Sequence, residues 1–201
     1  MSKRHTDAKS QRGYLSRKVD THEVRKRFLI VCEGEKTEPN YFRGFRRPGL
    51  ILEVKGEGYN TVSLVEKAIE FSEKEKYDHV WCVFDRDSFP EQNFNEAFSL
   101  AKRNNIRIAY SNEAFELWYL LHFNYYDSAI NRSDYCAKLS TLLGHEYKKN
   151  QGDMYILLGP KQAMAIQNAE NLLAQYQPLD PLNANPSTTV HLLIQELNKE
   201  D

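Results

Sequence analysis

Apolar and polar residues come in blocks along this chain. Four short, continuous apolar runs stand out: Arg27-Phe-Leu-Ile-Val-Cys32, Leu50-Ile-Leu-Glu-Val54, His79-Val-Trp-Cys-Val-Phe84 and Ile106-Arg-Ile-Ala-Tyr110. Runs of this length, bounded by turn residues, read as buried strands. The first ends at Glu33-Gly34, the third at Asp85-Arg86-Asp87 and the fourth at Ser111-Asn112. Between them, residues 61–76 place Val62, Val65 and Ile69 at helical spacing behind Asn60 or Thr61 as cap. Residues 91–104 form a further helical pattern. Strands alternating with helices predict a parallel sheet.

The pattern changes after residue 112. Glu113–Phe123 reads as a buried apolar helix and Ser133–Leu143 as another. Gly159-Pro160 opens a helix with Pro at its first position, whose apolar residues Ala163, Ile166, Ala169, Leu172, Leu173 and Tyr176 keep helical spacing. Residues 177–185 form a linker. Pro186 or Ser187 then starts a last helix with Val190, Leu193, Ile194 and Leu197 on one stripe. The chain thus divides into a basic flexible arm (1–26), an α/β core (27–112) and a helical extension packed on that core (113–201).

Composition changes this picture little. At 201 residues the chain can bury a real core. No apolar run approaches the ~18 residues of a membrane span, and the polar N-terminus lacks the apolar centre of a secretory signal. Three scattered cysteines make neither a disulfide framework nor a Cys-rich zinc site. A soluble protein of a reducing cytoplasm is expected. Charge is more informative. The net value is −1, but residues 1–27 hold nine Lys/Arg against three Asp/Glu, leaving the rest of the chain acidic. A basic arm on an acidic body suits contact with a polyanion, and equally a solvated tail.

The candidate chemistry sits at strand ends, where open parallel sheets bind ligands. Glu33 follows the first strand; Asp85 and Asp87 follow the third. Two residues apart in extended backbone, the aspartates point the same way, and they repel unless a cation joins them. Oxygen ligands suit Mg²⁺ or Mn²⁺. No Cys pair or His-x₃-His stands nearby for Zn²⁺. An Asp-x-Asp at a strand end also serves as a plain turn or helix cap.

A strand ending in Glu-Gly, then a later strand ending in Asp-x-Asp, resembles the Toprim domain of topoisomerases, DnaG-type primases and OLD-family nucleases. Three longer motifs resemble the RloB family: Leu29-Ile-Val-Cys-Glu-Gly-Glu-Lys-Thr-Glu-Pro-Asn-Tyr-Phe42, Ser111-Asn-Glu-Ala-Phe-Glu-Leu-Trp-Tyr-Leu-Leu-His-Phe123 and Asn185-Pro-Ser-Thr-Thr-Val-His191. One departure is visible: Glu113 stands where the family often has Pro. The resemblance implies a Toprim-like parallel sheet flanked by helices with a C-terminal helical extension. It also implies metal-dependent phosphodiester chemistry on DNA or RNA, and a place in prokaryotic restriction or phage-defence loci beside an ABC-type ATPase.

Carried over residue by residue, the resemblance makes Glu33 a metal ligand or general acid/base and Asp85 and Asp87 metal ligands. It adds Glu35, Lys36, Thr37, Glu38, Asn112, Glu116 and His122 as candidates. Glu35 suits a second ion or an exposed loop. Lys36 and Arg86 suit a phosphate or developing charge. Thr37 suits the cap of a helix from Glu38 to Phe45. Asn112 suits a cap or a substrate contact. Glu116, buried amid apolar neighbours, suits the metal site or a structural ion pair. His122 and His191 suit locally hydrogen-bonded core positions, and His122 also a substrate contact. The chain has no Gly-x₄-Gly-Lys-[Ser/Thr] loop, so ATP dependence is expected from a partner. The expected function is a metal-dependent nuclease of a phage-defence system. The alternatives are another Mg²⁺-dependent phosphoryl or nucleotidyl transferase, and a non-catalytic module that binds nucleic acid or the ATPase. Oligomeric state stays open.

Overall fold

The structure, a computed structural model, describes residues 25–86 and 90–199. The basic arm, apart from Arg25 and Lys26, lies outside the described residues, and so does Asp87.

The described residues form a five-stranded sheet. In chain order its strands are β1 (Lys26–Cys32), β2 (Leu50–Gly56), β3 (His79–Asp85), β4 (Arg107–Asn112) and β5 (Ser187–Thr188). Their order across the sheet is β2-β1-β3-β4-β5. The first four are parallel, and β5 runs antiparallel to the end of β4. The helices are α1 (Thr37–Phe42), α2 (Thr61–Lys74), α3 (Glu91–Arg103), α4 (Glu116–Leu121), α5 (Arg132–Leu143), α6 (Met154–Leu158), α7 (Gln162–Ala174) and α8 (Val190–Asn198), with a 3₁₀ turn at Gly159–Lys161. Among the described residues no helix is long and apolar enough to cross a membrane.

The period of two along each strand sorts the core into two layers. Phe28, Ile30, Cys32, Trp81 and Val83 face α1 and the helices of the C-terminal half. Leu29, Val31, Cys82 and Phe84 face α2 and α3, where Leu64, Val65, Ala68, Phe94, Ala97 and Ala101 meet them. Strands buried on both faces read as unbroken apolar runs, which is why the sequence pattern shows no alternation here. All the C-terminal helices, α4 to α8, contribute buried residues to one core with the sheet.

Connectivity follows from strand order. The connection from β1 to β2 passes through α1 on one face, whereas those leaving β2 and β3 pass through α2 and α3 on the other. β1 and β3 are neighbours whose onward chains diverge to opposite faces. That is the switch point at which doubly wound sheets open a crevice.

Several expected boundaries move. The last helix begins at Val190, because Ser187–Thr188 instead extends the sheet against Ser111–Asn112. The Ser111 and Thr188 hydroxyls pair at 2.9 Å, and the Thr189 N–H donates to Tyr110 O at 2.9 Å. Edge backbone groups that would otherwise lie unpaired decide this. The helix expected from Glu113 begins at Glu116. Glu113 is a bend whose carboxylate is drawn away to the Arg132 N–H (3.1 Å) and the Asn185 amide (3.3 Å). Gly159-Pro160 makes the 3₁₀ turn between α6 and α7 rather than a helix start. The buried stripe of α7 is Ala165, Ala169 and Leu172, with Ala163 exposed.

Gly56, at the end of β2, shows how tightly the sheet abuts the turn after β1. A Cβ there would lie 2.7 Å from Gly34 O and from Pro39 Cγ. Gly56→Ala should therefore destabilise the fold by about 1–3 kcal/mol through overpacking. A urea midpoint lowered at unchanged slope would register it; an unchanged midpoint would mean the turn yields freely.

Candidate functional site

Glu33 leaves β1 fixed from three directions. Its N–H donates to Val83 O (2.9 Å), its C=O accepts from the Gly58 N–H (2.9 Å), and its Oε2 accepts from the Asp85 N–H (3.1 Å). The ends of β1 and β3 are thereby stitched together at the switch point. Over the turn 34–38 opens a cleft of about 360 Å³. Asp85, Phe115, Glu116, Arg132 and Lys149 complete its lining.

The cleft concentrates buried carboxylates. Asp85 is 7% exposed, Glu38 5% and Glu116 2%. Burial pushes the Asp85 carboxyl well above the usual carboxylate range, the charges of Glu38 and Glu116 push further, and Arg132 pulls back. Glu38 is raised by burial and then by Glu116. A Cβ at position 34 would overlap the Glu38 carboxylate, which would have to move to admit it.

Cations and a phenol answer these charges. Arg132, the first residue of α5, places a guanidinium nitrogen 3.3 Å from Asp85 Oδ2. Lys149 Nζ lies 3.6 Å from Glu116 Oε1. The Tyr147 hydroxyl donates to the same oxygen at 3.3 Å, and burial together with Glu116 pushes that phenol up.

The structure gathers some of the sequence-derived candidates and disperses others. Glu35, Lys36, Thr37, Asp85 and Glu116 line the cleft, and Glu33 joins it through Asp85. Asp87 lies outside the described residues. Thr37 does not cap α1: Lys36 holds that position, and the Thr37 hydroxyl donates to Lys149 O at 2.8 Å. Arg86 follows the strand's alternation to the opposite face, where its guanidinium lies 5.5 Å from the Phe94 ring centroid. The Asn112 amide donates to Ala184 O at 3.0 Å and fastens the 184–188 segment rather than capping α4. His122 is wholly buried with Nδ1 2.8 Å from Trp118 O, and burial lowers its pKa to about 4. It is a core residue away from the cleft lining.

Arg132, Lys149 and Tyr147 were not legible as site residues. Arg132 carried one usable signal: an arginine opening a helix opposes the helix dipole and asks for a carboxylate from elsewhere. Lys149 and Tyr147 carried none.

The donor set fits a hard divalent cation. Glu33, Glu38, Asp85 and Glu116 offer carboxylate oxygens alone, the preference of Mg²⁺ or Mn²⁺. Among the described residues, however, no three His, Cys, Asp or Glu side chains form a ready cation site. Arg132 and Lys149 instead hold two of the carboxylates, so cation binding requires these side chains to regroup.

A raised carboxyl pKa makes the native state the better proton binder. Stability then falls as pH climbs from the ordinary carboxylate range through the raised value, and the loss is complete above it. Glu38→Gln abolishes this proton binding while keeping the side chain's shape. It should flatten the fall in stability from pH 4 upward, and raise stability by on the order of 1 kcal/mol where the wild-type carboxyl is charged. Urea melts across that range would show it; a variant weaker at pH 7 would show that the Glu38 charge is already compensated.

A family model described as RloB-like protein matches residues 28–197. No curated relative and no solved structure matches the chain. The match runs from β1 through the cleft to the last helix, and the chain belongs to the RloB-like protein family.

Proposed function

We propose that the cleft is a divalent-cation-dependent phosphodiesterase site acting on nucleic acid, in a phage-defence system where an ABC-type ATPase controls it. One observation carries the reading most: Asp85 is buried at the switch point of the sheet with Glu38 and Glu116 pressing on its charge. Buried anions kept this close cost stability, and such strain concentrates at functional sites.

The roles divide as follows. Glu33, Asp85, Glu38 and Glu116 would hold one or two Mg²⁺ or Mn²⁺ ions. The bound ion supplies Lewis-acid stabilisation of the phosphate and a water or hydroxyl activated at neutral pH. Glu33 moves the proton at the attacking or leaving oxygen. Its tie to the Asp85 backbone holds it at the required edge. Lys36, exposed at the cleft, offsets charge on the phosphate. The Toprim resemblance of the two strand ends supports the reaction class. The RloB motifs support the defence setting and the ATPase.

A non-catalytic nucleic-acid-binding module is the second reading, favoured by the cations already seated on Asp85 and Glu116. It requires binding that survives chelation and Asp85→Asn.

Purified protein should cut single-stranded, duplex or transfer nucleic acid with Mg²⁺ or Mn²⁺ and not with chelator. Glu33→Gln and Asp85→Asn should each lower the rate by about 10²-fold or more. Silence of the wild type both alone and with its ATPase would overturn the enzymatic reading, and retained binding by Asp85→Asn would favour the module.

A further inference from the structure

The four parallel strands all begin at the end of the sheet away from the cleft. The rise along a strand puts that end about 20 Å from Glu33. Its charge is opposite to that of the cleft. The stretch 39–52, from α1 into β2, holds Arg43, Arg46 and Arg47 and no Asp or Glu. Main-chain carbonyls position all three. Arg43 Nη2 donates to Val54 O at 3.2 Å, and Arg46 Nη1 donates to Arg43 O and Phe45 O. Arg47 Nη1 donates to Leu197 O at 3.1 Å and Lys199 O at 2.7 Å. A carbonyl fixes a guanidinium without cancelling its charge. Among the described residues, no carboxylate stands within ion-pair distance of these three arginines.

Arg47, Lys26, Lys199 and Glu196 meet around a small depression of about 20 Å³. Its carboxylate is already answered, by Lys199 at 2.8 Å and Arg107 at 3.1 Å, so the cations outnumber it. Basic residues near helix ends commonly answer the helix dipole. That accounts for Lys102 and Arg103 at the end of α3, and in part for Arg47 beside the end of α8. It does not account for Arg43 and Arg46. The six-residue α1 beside them ends with at most about half a negative charge, against two exposed guanidinium groups. The chain also enters here: Arg25 is exposed, and residues 1–24 hold six Lys/Arg against three Asp/Glu.

A cluster of acids such as the cleft repels a phosphate backbone, so residence there needs attraction from elsewhere. The arginines supply it in a line. Arg43 is tied to the fifth residue of β2 and stands between Arg46 and Arg47 at the starting end and Lys36 at the cleft. Guanidinium matches phosphate through its planar fork. We propose that Arg43, Arg46 and Arg47 form a docking track for the phosphate backbone of nucleic acid, running beside β2 from the starting end of the sheet to the cleft. This rests on the reading of nucleic acid as the ligand above and not on the cation: the track holds the strand, and the cleft acts on it.

The full chain should bind labelled single-stranded or duplex oligonucleotide in chelator, read by anisotropy across a salt series. Arg46→Gln should weaken binding about tenfold and reduce the slope of log affinity on log salt by about one. Arg43→Gln should do the same, and the double variant should lose about two from the slope. Arg46→Lys should keep the slope and recover only part of the affinity, because Lys lacks the fork. Arg103→Gln, at the end of α3 on the other face of the sheet, should change neither quantity. Matching thermal melts would exclude misfolding as the cause. Unchanged affinity and slope in both Arg43→Gln and Arg46→Gln would overturn the track, and so would an equal loss in Arg103→Gln. Failure of the wild type to bind either oligonucleotide would overturn it too, and binding of polyglutamate instead would assign the surface to an acidic protein. The expected losses, found in a protein that cuts nothing with any cation, would uphold the track and count against the chemistry proposed for the cleft.

Discussion

β1 is hydrogen-bonded along its whole length to β2 on one side and mostly along its length to β3 on the other. From Leu29 to Cys32 it has no solvent exposure. A strand enclosed in this way cannot shift by one residue without turning its whole set of side chains to the wrong layer. Its end point is therefore fixed, and with it the point where Glu33 leaves the sheet. Gly56 and Gly34 then allow the turn after β1 to lie against the end of β2 and the Glu38 carboxylate. The position of the candidate site follows from packing in the middle of the sheet.

That placement has an electrostatic consequence. Bringing Glu38, Asp85 and Glu116 to one cleft raises the proton affinity of the first two, chiefly through burial. The fold offsets part of this with charges from a distant stretch of chain, Arg132 and Lys149, and with the Tyr147 hydroxyl. Neither ion pair is short.

The C-terminal half is part of the same structure. α4, α7 and α8 pack on one face of the sheet, and Tyr41, Phe42, Phe115 and Tyr119 interlock edge to face between α1 and the start of α4. β5 and the Asn112 amide tie the 184–188 segment to the end of β4. Glu113 is held from that segment by Asn185 and in turn holds the Arg132 backbone. The stretch that reads as a linker thus positions one wall of the cleft.

The sequence by itself determined the elements whose cause is local. Apolar runs marked all four parallel strands, and most clearly the central β1 and β3, whose inner residues are buried on both faces. Helical spacing marked α2, α3 and the stripe of α8. The motifs after β1 and β3 marked where chemistry would sit, since strand ends are where a parallel sheet exposes polar groups. The tertiary structure alone decided the rest. β5 exists because the end of β4 needed partners; nothing local in Ser187–Thr188 asks for a strand. Arg86 sits two positions from a strand residue of the opposite layer, so it belongs to Phe94 and not to the cleft. Thr37, Asn112 and His122 were spent on Lys149 O, Ala184 O and Trp118 O. Arg132 reaches Asp85 across forty-seven residues, and Lys149 reaches Glu116 from beyond the end of α5. Pairings of that kind arise from how layers stack, and no periodicity or spacing along the chain encodes them.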